Sequence, residues 1–187
     1  VIGSRTGGTG TVSPMLATLG DIGTFTGGDE WAYEMKWDGY RAIATIRDGG
    51  LDLRSRNGLD MTATYPEVGD VVDAVPAGRG RTVLDGELVA LDPDGRPSFG
   101  LLQQHAAPVR YFVFDVLELD GEDITRLPYD QRRRRLAAEV RETESVRVPR
   151  DAGADLRRAL AESRRLGLEG VMAKRRSSLY RRGRRSR

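Results

Sequence analysis

Alternation of apolar and polar residues predicts several β-strands along this chain. Residues 31–36 alternate strictly: Trp31, Tyr33 and Met35 point one way, and the residues between them point the other. Runs of β-branched and aromatic residues bounded by turn signals predict further strands at 40–46, 51–56, 82–91, 110–119 and 169–175. Because only short turn sequences separate the first three strands, we expect them to form an antiparallel meander.

Helical spacing of apolar residues predicts helices between these strands. Ser98 is suited to an N-cap, and Gly167 is suited to the position that follows the last turn of a helix. The predicted helices cover residues 64–75, 98–106, 129–140 and 154–167. Antiparallel strands interspersed with helices indicate the α+β class, with antiparallel sheets flanked by helices.

Composition narrows the class of protein. The 187 residues are 39% hydrophobic and 31% charged, which is typical of a folded domain with a real core. Cysteine is absent, which excludes disulfides and thiolate metal sites and favours a reducing, cytoplasmic setting. No apolar run is long enough to span a membrane, so no membrane partner is expected. Residues 1–13, rich in Gly, Ser and Thr, predict a flexible lead-in.

Positive charge is concentrated in two stretches of a chain whose net charge is only +2. Residues 131–136 read QRRRRL, and residues 174–187 hold many cations and no acid. Such clusters suggest a polyanionic partner such as nucleic acid. The alternative is a solvated helix face and a solvated tail, which charge runs often form.

Lysine is scarce, and one lysine lies among aromatic residues. Lys36 and Lys174 are the only lysines among 30 basic residues. A guanidinium stays protonated and is a poor nucleophile, whereas an amine can lose its proton and attack. Lys36 shares a predicted strand face with Glu34, and the turn at 38–39 brings Arg41 close. Lys36 is therefore a candidate nucleophile; the alternative is a surface salt-bridge hairpin.

Two predicted strands carry further candidate groups. Asp85 and Glu87 lie two residues apart on one strand face, a spacing that suits a divalent cation or a pair of sugar hydroxyls. Phe112 and Phe114 share a face, so either ring could cover a base, although strand aromatics more often belong to the core.

The last predicted strand places Glu169 and Val171 on one face and Lys174 on the other. His105, the only histidine, has no partnering acid motif, and a phosphate loop of the GxxxxGK type is absent. The candidate groups together are an amine, several carboxylates, aromatic rings and arginines. This combination suits an anionic, aromatic substrate that binds a metal ion, and a nucleotide is such a substrate.

These stretches resemble the motifs of the covalent nucleotidyltransferases, a family that includes ATP-dependent DNA ligases, RNA ligases and mRNA capping enzymes. EMKWDGYR is similar to motif I, RSRNG to motif Ia, LDGELV to motif III, YFVFDVLELDG to motif IIIa and EGVMAKR to motif IV, in the family's order. The resemblance covers residues 14–187 and looks most like the ligase module of bacterial end-joining proteins, the ligase D type. It implies an ATP-grasp-like ligase nucleotidyltransferase fold.

The resemblance implies a role for each candidate residue. Lys36 would attack the α-phosphate of ATP, form a lysyl-AMP intermediate and pass the AMP to a DNA 5′-phosphate. Asp38 and Glu169 would position Mg²⁺ or Mn²⁺. The remaining residues would contact the adenine, ribose, phosphates or DNA end, and Lys174 is the weaker candidate because of its strand face: Glu34, Arg41, Arg56, Glu87, Phe114, Val171 and Lys174.

The resemblance also implies partners. The substrate would be nicked or broken duplex DNA, in the cytoplasm and associated with the bacterial nucleoid. The motif V lysines and the OB-fold domain that normally follow do not occur in these residues, so we expect residues 14–187 to be a part of a longer ligase. On its own this part is expected to bind nucleotide, to self-adenylate poorly and not to seal nicks. Polymerase and nuclease modules and Ku are the further partners implied for the full-length protein.

Three alternatives stay open at this point. An RNA ligase or a GTP-using capping enzyme would share the chemistry. A non-catalytic arginine-rich module would bind nucleic acid with steep salt dependence and no covalent AMP. A purely structural role would make Lys36 a salt-bridge residue.

Overall fold

The computed structural model describes residues 12–22, 28–76 and 80–185, so the predicted lead-in lies almost entirely outside the described residues. In this part of the chain the strands are β1 Trp31–Met35, β2 Tyr40–Arg47, β3 Gly50–Ser55, β4 Thr82–Ala90, β5 Val109–Leu119, β6 Glu122–Asp123, β7 Val146–Arg147 and β8 Val171–Arg175. The helices are a 3₁₀ helix at Pro66–Ala74, α1 Phe99–Gln103, α2 Tyr129–Glu139 and α3 Leu156–Arg165.

The main sheet is antiparallel along the order β3-β2-β4-β5-β6, and the short β7 adds a parallel pair to β5. The β2–β3 hairpin turns at Asp48 and Gly49, which both have positive φ. A two-residue hairpin loop favours this conformation because it matches the right-handed twist of the two strands. The mixture of antiparallel strands and flanking helices confirms the predicted α+β class.

The hydrophobic core lies on one face of the main sheet. Apolar residues of β2 to β5 on this face pack against the 3₁₀ helix, α1 and the C-terminal half of α2. Tyr111 is completely buried there, and its hydroxyl donates to the carbonyls of Ala42 and Leu84 at 3.0 and 3.1 Å. This core covers one side of the sheet and leaves the opposite face available for polar groups.

The opposite face carries charged residues near its centre and a small apolar cluster at one end. Register places Arg41 beside Glu87 and Ile43 beside Asp85. The apolar cluster joins the two chain-terminal segments to the sheet and contains Val12, Ile43, Val83, Leu117 and Tyr180. Leu16 forms a parallel bridge with Arg185, so the segments before β1 and after β8 lie side by side.

A second sheet consists of β1 and β8 alone, in antiparallel register from Trp31 opposite Arg175 to Met35 opposite Val171. The predicted meander is therefore wrong for the first strand, because β1 pairs with β8 and not with β2. Helix α3 packs against β1 and β8; Asp155 caps its start and Gly167, at φ 69°, follows its end. Within the described ranges, no helix has both the length and the apolar character to cross a membrane.

Candidate active site

Lys36 lies where the β1–β8 ribbon meets the charged face of the main sheet. Its backbone N–H donates to the carbonyl of Gly170 at 3.1 Å, which continues the β1 pairing by one residue. The hydroxyl of Ser163 on α3 donates to the same carbonyl at 2.9 Å. The Lys36 Nζ forms an ion pair with Glu169, and both side chains are about half exposed. The amine is thus held in position and still open to a ligand.

A tight backbone contact fixes the turn that follows Lys36. A Cβ at Gly39 would lie 1.9 Å from the carbonyl oxygen of Leu88 and 3.1 Å from the Cγ of Glu87. Only glycine permits this approach of the turn to β4. The glycine of the KWDG sequence therefore brings Lys36 and Asp38 into the electrostatic environment of Glu87.

Glu87 is the carboxylate most changed by this environment. Burial raises the pKa of Glu87 to about 7; Arg41 and Lys36 oppose the shift, while the nearby carboxylates of Asp85 and Asp38 add to it. Its neighbour in the LDGELV sequence, Gly86, passes over the Tyr111 ring, where a Cβ would lie 2.5 Å from a ring carbon. The Glu87 carboxyl can thus exchange a proton, or accept hydrogen bonds, near neutral pH.

Arg41 and Asp85 form a buried bidentate ion pair. The Arg41 Nε and Nη2 lie 2.6 and 2.7 Å from the two Asp85 oxygens, and the Tyr180 hydroxyl donates to Asp85 as well. The Arg41 guanidinium lies 4.5 Å from the centre of the Phe114 ring. Since its oxygens already bind Arg41 and Tyr180, Asp85 positions the arginine, and the suggested metal or sugar contact at Asp85 is unsupported.

Glu34 is a second buried carboxylate with fixed partners. The Tyr129 hydroxyl donates to its Oε1 at 2.6 Å, and the Arg133 Nε lies 3.7 Å from the same oxygen. The Lys174 Nζ lies 2.5 Å from its Oε2 and 4.9 Å from the centre of the Phe114 ring. These contacts bring β1, α2 and β8 together around Phe114. The region where this cluster meets the charged face of the main sheet is called the cleft below.

The strand-face argument against Lys174 was wrong. Register places Lys174 opposite Ala32 and Met172 opposite Glu34, so both side chains lie on the face of the ribbon that carries Glu34. Val171 is opposite Met35 on the other face, so the structure does not bring Val171 to the cleft. The parity count itself was right, because Val171 and Lys174 lie on opposite faces of the ribbon. The wrong step was to take the face of Val171 as the site face: β8 begins only at Val171, after Gly170, so the position of Glu169 does not indicate which strand face is near the site. Met172 was missed for the same reason.

Asp38 and Glu169 are candidate metal ligands. Among the described residues, no group of three or more His, Cys, Asp or Glu side chains is placed to hold a metal. Mg²⁺ commonly takes only one or two protein carboxylates and completes its shell with water and phosphate oxygens. The two carboxylates near Lys36 fit such a shared site and do not fit a closed protein site.

Arg56 lies at the edge of the cluster. Its backbone N–H donates to the Arg41 carbonyl at 3.1 Å, and its side chain is exposed. The turn that follows is closed by the Gly58 N–H on the Ser55 carbonyl and by the Leu59 N–H on the Ser55 hydroxyl. Arg56 thus stands on a fixed turn at the cleft rim, where it can reach an anionic ligand.

Comparison with known proteins shows the family to which the chain is similar. The family model described as ATP dependent DNA ligase domain matches residues 14–187. The multifunctional non-homologous end joining protein LigD of Mycolicibacterium smegmatis is 40% identical over 176 residues, which cover 93% of this chain and 23% of that protein. The chain thus spans about a quarter of that relative's length.

Solved structures agree with this match. The crystal structure of the ligase domain of Mycobacterium tuberculosis LigD has a TM-score of 0.82 and 40% identity, and the alignment covers 94% of this chain and 58% of that one. A mycobacterial DNA ligase D complexed with ATP and MES gives the same TM-score and identity, with 94% and 57% covered.

Proposed function

The chain belongs to the family of ATP-dependent DNA ligase domains, and from this we propose that its Lys36 carries AMP as a covalent intermediate in the sealing of DNA strand breaks. The observation that supports this most directly is the position of the Lys36 amine, half exposed beside Glu169 at the mouth of a cleft that holds Glu34, Phe114 and Glu87.

In the first step, the Lys36 Nζ attacks the α-phosphorus of ATP. The ammonium of the ion pair first releases one proton to become a free amine; a P–N bond then forms, the bond to pyrophosphate breaks, and a second proton leaves Nζ. Glu169 touches this amine and would orient it, and the half-exposed amine would release both protons to water. Arginine could not replace Lys36, because a guanidinium does not release its proton to become a nucleophile.

The cleft provides a contact for each part of AMP. The Phe114 ring would cover the adenine, with Met172 on the facing ribbon, and Glu34 would contact the adenine. Glu87 would bind the ribose hydroxyls. Lys174, already beside Glu34 and Phe114, would supply positive charge in the nucleotide pocket.

The phosphates and the DNA end would face the arginines. Arg41, fixed by Asp85, and Arg56 at the rim would address the ribose, phosphate or DNA 5′-phosphate. Asp38 and Glu169 would hold Mg²⁺ or Mn²⁺, which neutralises the charge of the triphosphate as pyrophosphate leaves.

Partners follow from the same proposal. The substrate is nicked or broken duplex DNA, in the nucleoid of a bacterial cytoplasm. The motif V lysines would grip the α-phosphate, and an OB-fold domain that follows them would close over the nucleotide. Polymerase and nuclease modules and Ku would act with the full-length protein. The multifunctional relatives, of which this chain matches about a quarter, support a multidomain setting.

Intact mass spectrometry tests the chemistry. The protein is incubated with ATP and either Mg²⁺ or Mn²⁺, and we expect a mass gain of one AMP that is absent in Lys36→Ala and Lys36→Arg. Radiolabelled GTP in a parallel sample would label a capping enzyme instead, and nicked RNA in place of nicked DNA would reveal an RNA ligase. An adduct that persists in Lys36→Arg would overturn the proposal.

A further inference from the structure

A recess of about 270 Å³ opens next to the nucleotide cleft, and none of the predicted site residues lines it. Trp37, directly after the proposed nucleophile, forms part of its wall, together with Arg110, Phe112, Glu142 and Arg147. Phe112 is the β5 residue in register with Glu87, so the recess adjoins the ribose side of the cleft. Nothing in the proposed adenylation step uses it.

The floor of the recess is aromatic. The ring centres of Trp37 and Phe112 lie 4.3 Å apart at 39°, so the two rings pack directly on each other. Phe112 is almost completely buried, whereas Trp37 is only partly covered. The outer face of the indole is therefore a platform on which a nucleic-acid base can stack, whatever its sequence.

The rim of the recess is cationic. The Arg147 Nη1 donates to the carbonyls of Thr143 and Val146 at 2.6 and 2.8 Å, which fixes its guanidinium. Within the described part of the chain, no hydrogen bond or ion pair engages the Arg110 guanidinium. Two guanidinium groups next to an aromatic platform match a phosphate attached to a base.

One acid completes the recess. The Glu142 Oε1 accepts a hydrogen bond from the Val148 N–H at 2.9 Å, so the carboxylate is held in place. It would repel a second phosphate, but it can accept a hydrogen bond from the exocyclic amino group of a base. The recess thus offers one surface for a base edge, one for a base face and one for a single phosphate.

We propose that this recess binds one unpaired nucleotide of a DNA strand end, with its base on Trp37 and its phosphate on Arg110 and Arg147. The inference rests on the proposed ligase function and extends it to end recognition. Trp37 of the recess directly follows Lys36 in the chain. This position favours a strand end over a free nucleotide as the ligand of the recess, because the adenylated lysine must meet a DNA 5′-phosphate.

Fluorescence of Trp37 tests the proposal. Trp31→Phe leaves Trp37 as the only tryptophan of the chain. With AMP at saturating concentration to fill the cleft, we expect a short single-stranded DNA with a 5′-phosphate to quench the Trp37 emission. In that background Arg110→Glu should weaken the binding about tenfold, the scale of one lost stacking or phosphate contact, and Arg110→Lys should recover most of it.

Arg157→Glu is the matched control, because it makes the same change of charge at an exposed position on α3. If Arg110→Glu and Arg157→Glu weaken binding equally, only net charge matters and the proposal is wrong. If saturating AMP alone quenches the Trp37 emission and the DNA adds no further quenching, the recess binds free nucleotides and the strand-end assignment is wrong. The AMP adduct is measured on the wild type separately; its failure would overturn the proposed function and leave the quenching comparison intact.

Discussion

At the scale of single residues, two glycines and one carboxylate determine the geometry of the cleft. Gly39 lets the Lys36 turn approach β4, and Gly86 lets β4 pass over Tyr111. Sequence reasoning identified the lysine from the scarcity of amines and placed Glu34 and Glu87 by strand parity. It could not show why those glycines are needed, because both contacts join residues distant in the chain.

Gly39→Ala should destabilise the protein by about 1–3 kcal/mol, because the added methyl overlaps the backbone of Leu88. Urea denaturation measures the loss. Gly100→Ala is the control: a Cβ there meets no atom within 4 Å, and alanine is a better helix former than glycine. Equal stability of the two variants would contradict the described contact.

Glu87 gives stability a dependence on pH. Its pKa rises from 4.5 to about 7 on folding, so the folded protein holds this proton more tightly than the unfolded chain does. The stabilisation of the folded state that this proton provides is therefore complete below pH 4.5 and is lost as the pH rises to about 7. We expect Glu87→Gln to flatten the fall in urea midpoint between about pH 5 and pH 8, the range that brackets the shift.

Glu122→Gln, at an exposed carboxylate on β6, is the control for that comparison and should keep the wild-type slope. If the urea midpoint of Glu87→Gln also falls with pH as steeply as in the wild type, burial does not raise the pKa of the Glu87 carboxyl.

At the scale of elements, the sequence predicted most strands and helices and the β2–β3 pairing, but not the partner of β1. The hairpin β2–β3, the long strands β4 and β5, the short capped helix α1 and the helices α2 and α3 all occur near their predicted positions. Local periodicity determines which side chains share a face. It carries no information about a partner strand some 140 residues away, which is why the β1–β8 pair was missed.

The same limitation hid the buried ion pair that holds α2 on β5. Arg132 lies in the QRRRRL stretch and reads as one of several solvated arginines, yet it is 2% exposed. Its Nε and Nη2 bind the two Asp115 oxygens at 2.8 and 3.0 Å, directly after Phe114. Arg132 thus helps to position the strand that carries the proposed adenine platform, together with Arg133, whose Nη1 donates to the Phe114 carbonyl at 3.2 Å.

Arg132→Ala should lower the free energy of unfolding by about 3–5 kcal/mol, because Asp115 would remain as an uncompensated buried charge. The double variant Arg132→Met with Asp115→Leu should lose less than the single one. Exposed Arg135→Ala on the same helix is the control, with little expected change. Chemical denaturation of all three variants checks the order.

At the scale of the whole molecule, the segments at both ends of the described chain converge on the cleft. The Met15 N–H donates to the Tyr180 hydroxyl at 2.9 Å, and that hydroxyl donates to Asp85, the partner of Arg41. Leu16 is also bonded through its N–H to the Arg184 carbonyl at 2.9 Å. These contacts connect the terminal segments to the proposed nucleotide site through one tyrosine.

Tyr180→Phe should cost about 1.5–3 kcal/mol, the usual contribution of a hydrogen bond to a charged group. The amides of Met15 and Leu16 should then exchange with deuterium faster than in the wild type. Tyr40→Phe is the control, since no described residue forms a hydrogen bond with that hydroxyl. Unchanged exchange at Met15 would show that the tyrosine does not hold the segment.

The path from Met15 through Tyr180 and Asp85 to Arg41 makes the terminal segments a clasp on the nucleotide cleft. When these segments fray, Asp85 loses the Tyr180 hydroxyl that helps to orient it toward Arg41, while the central sheet remains folded. Heat would accordingly loosen the proposed nucleotide site before it melts the core.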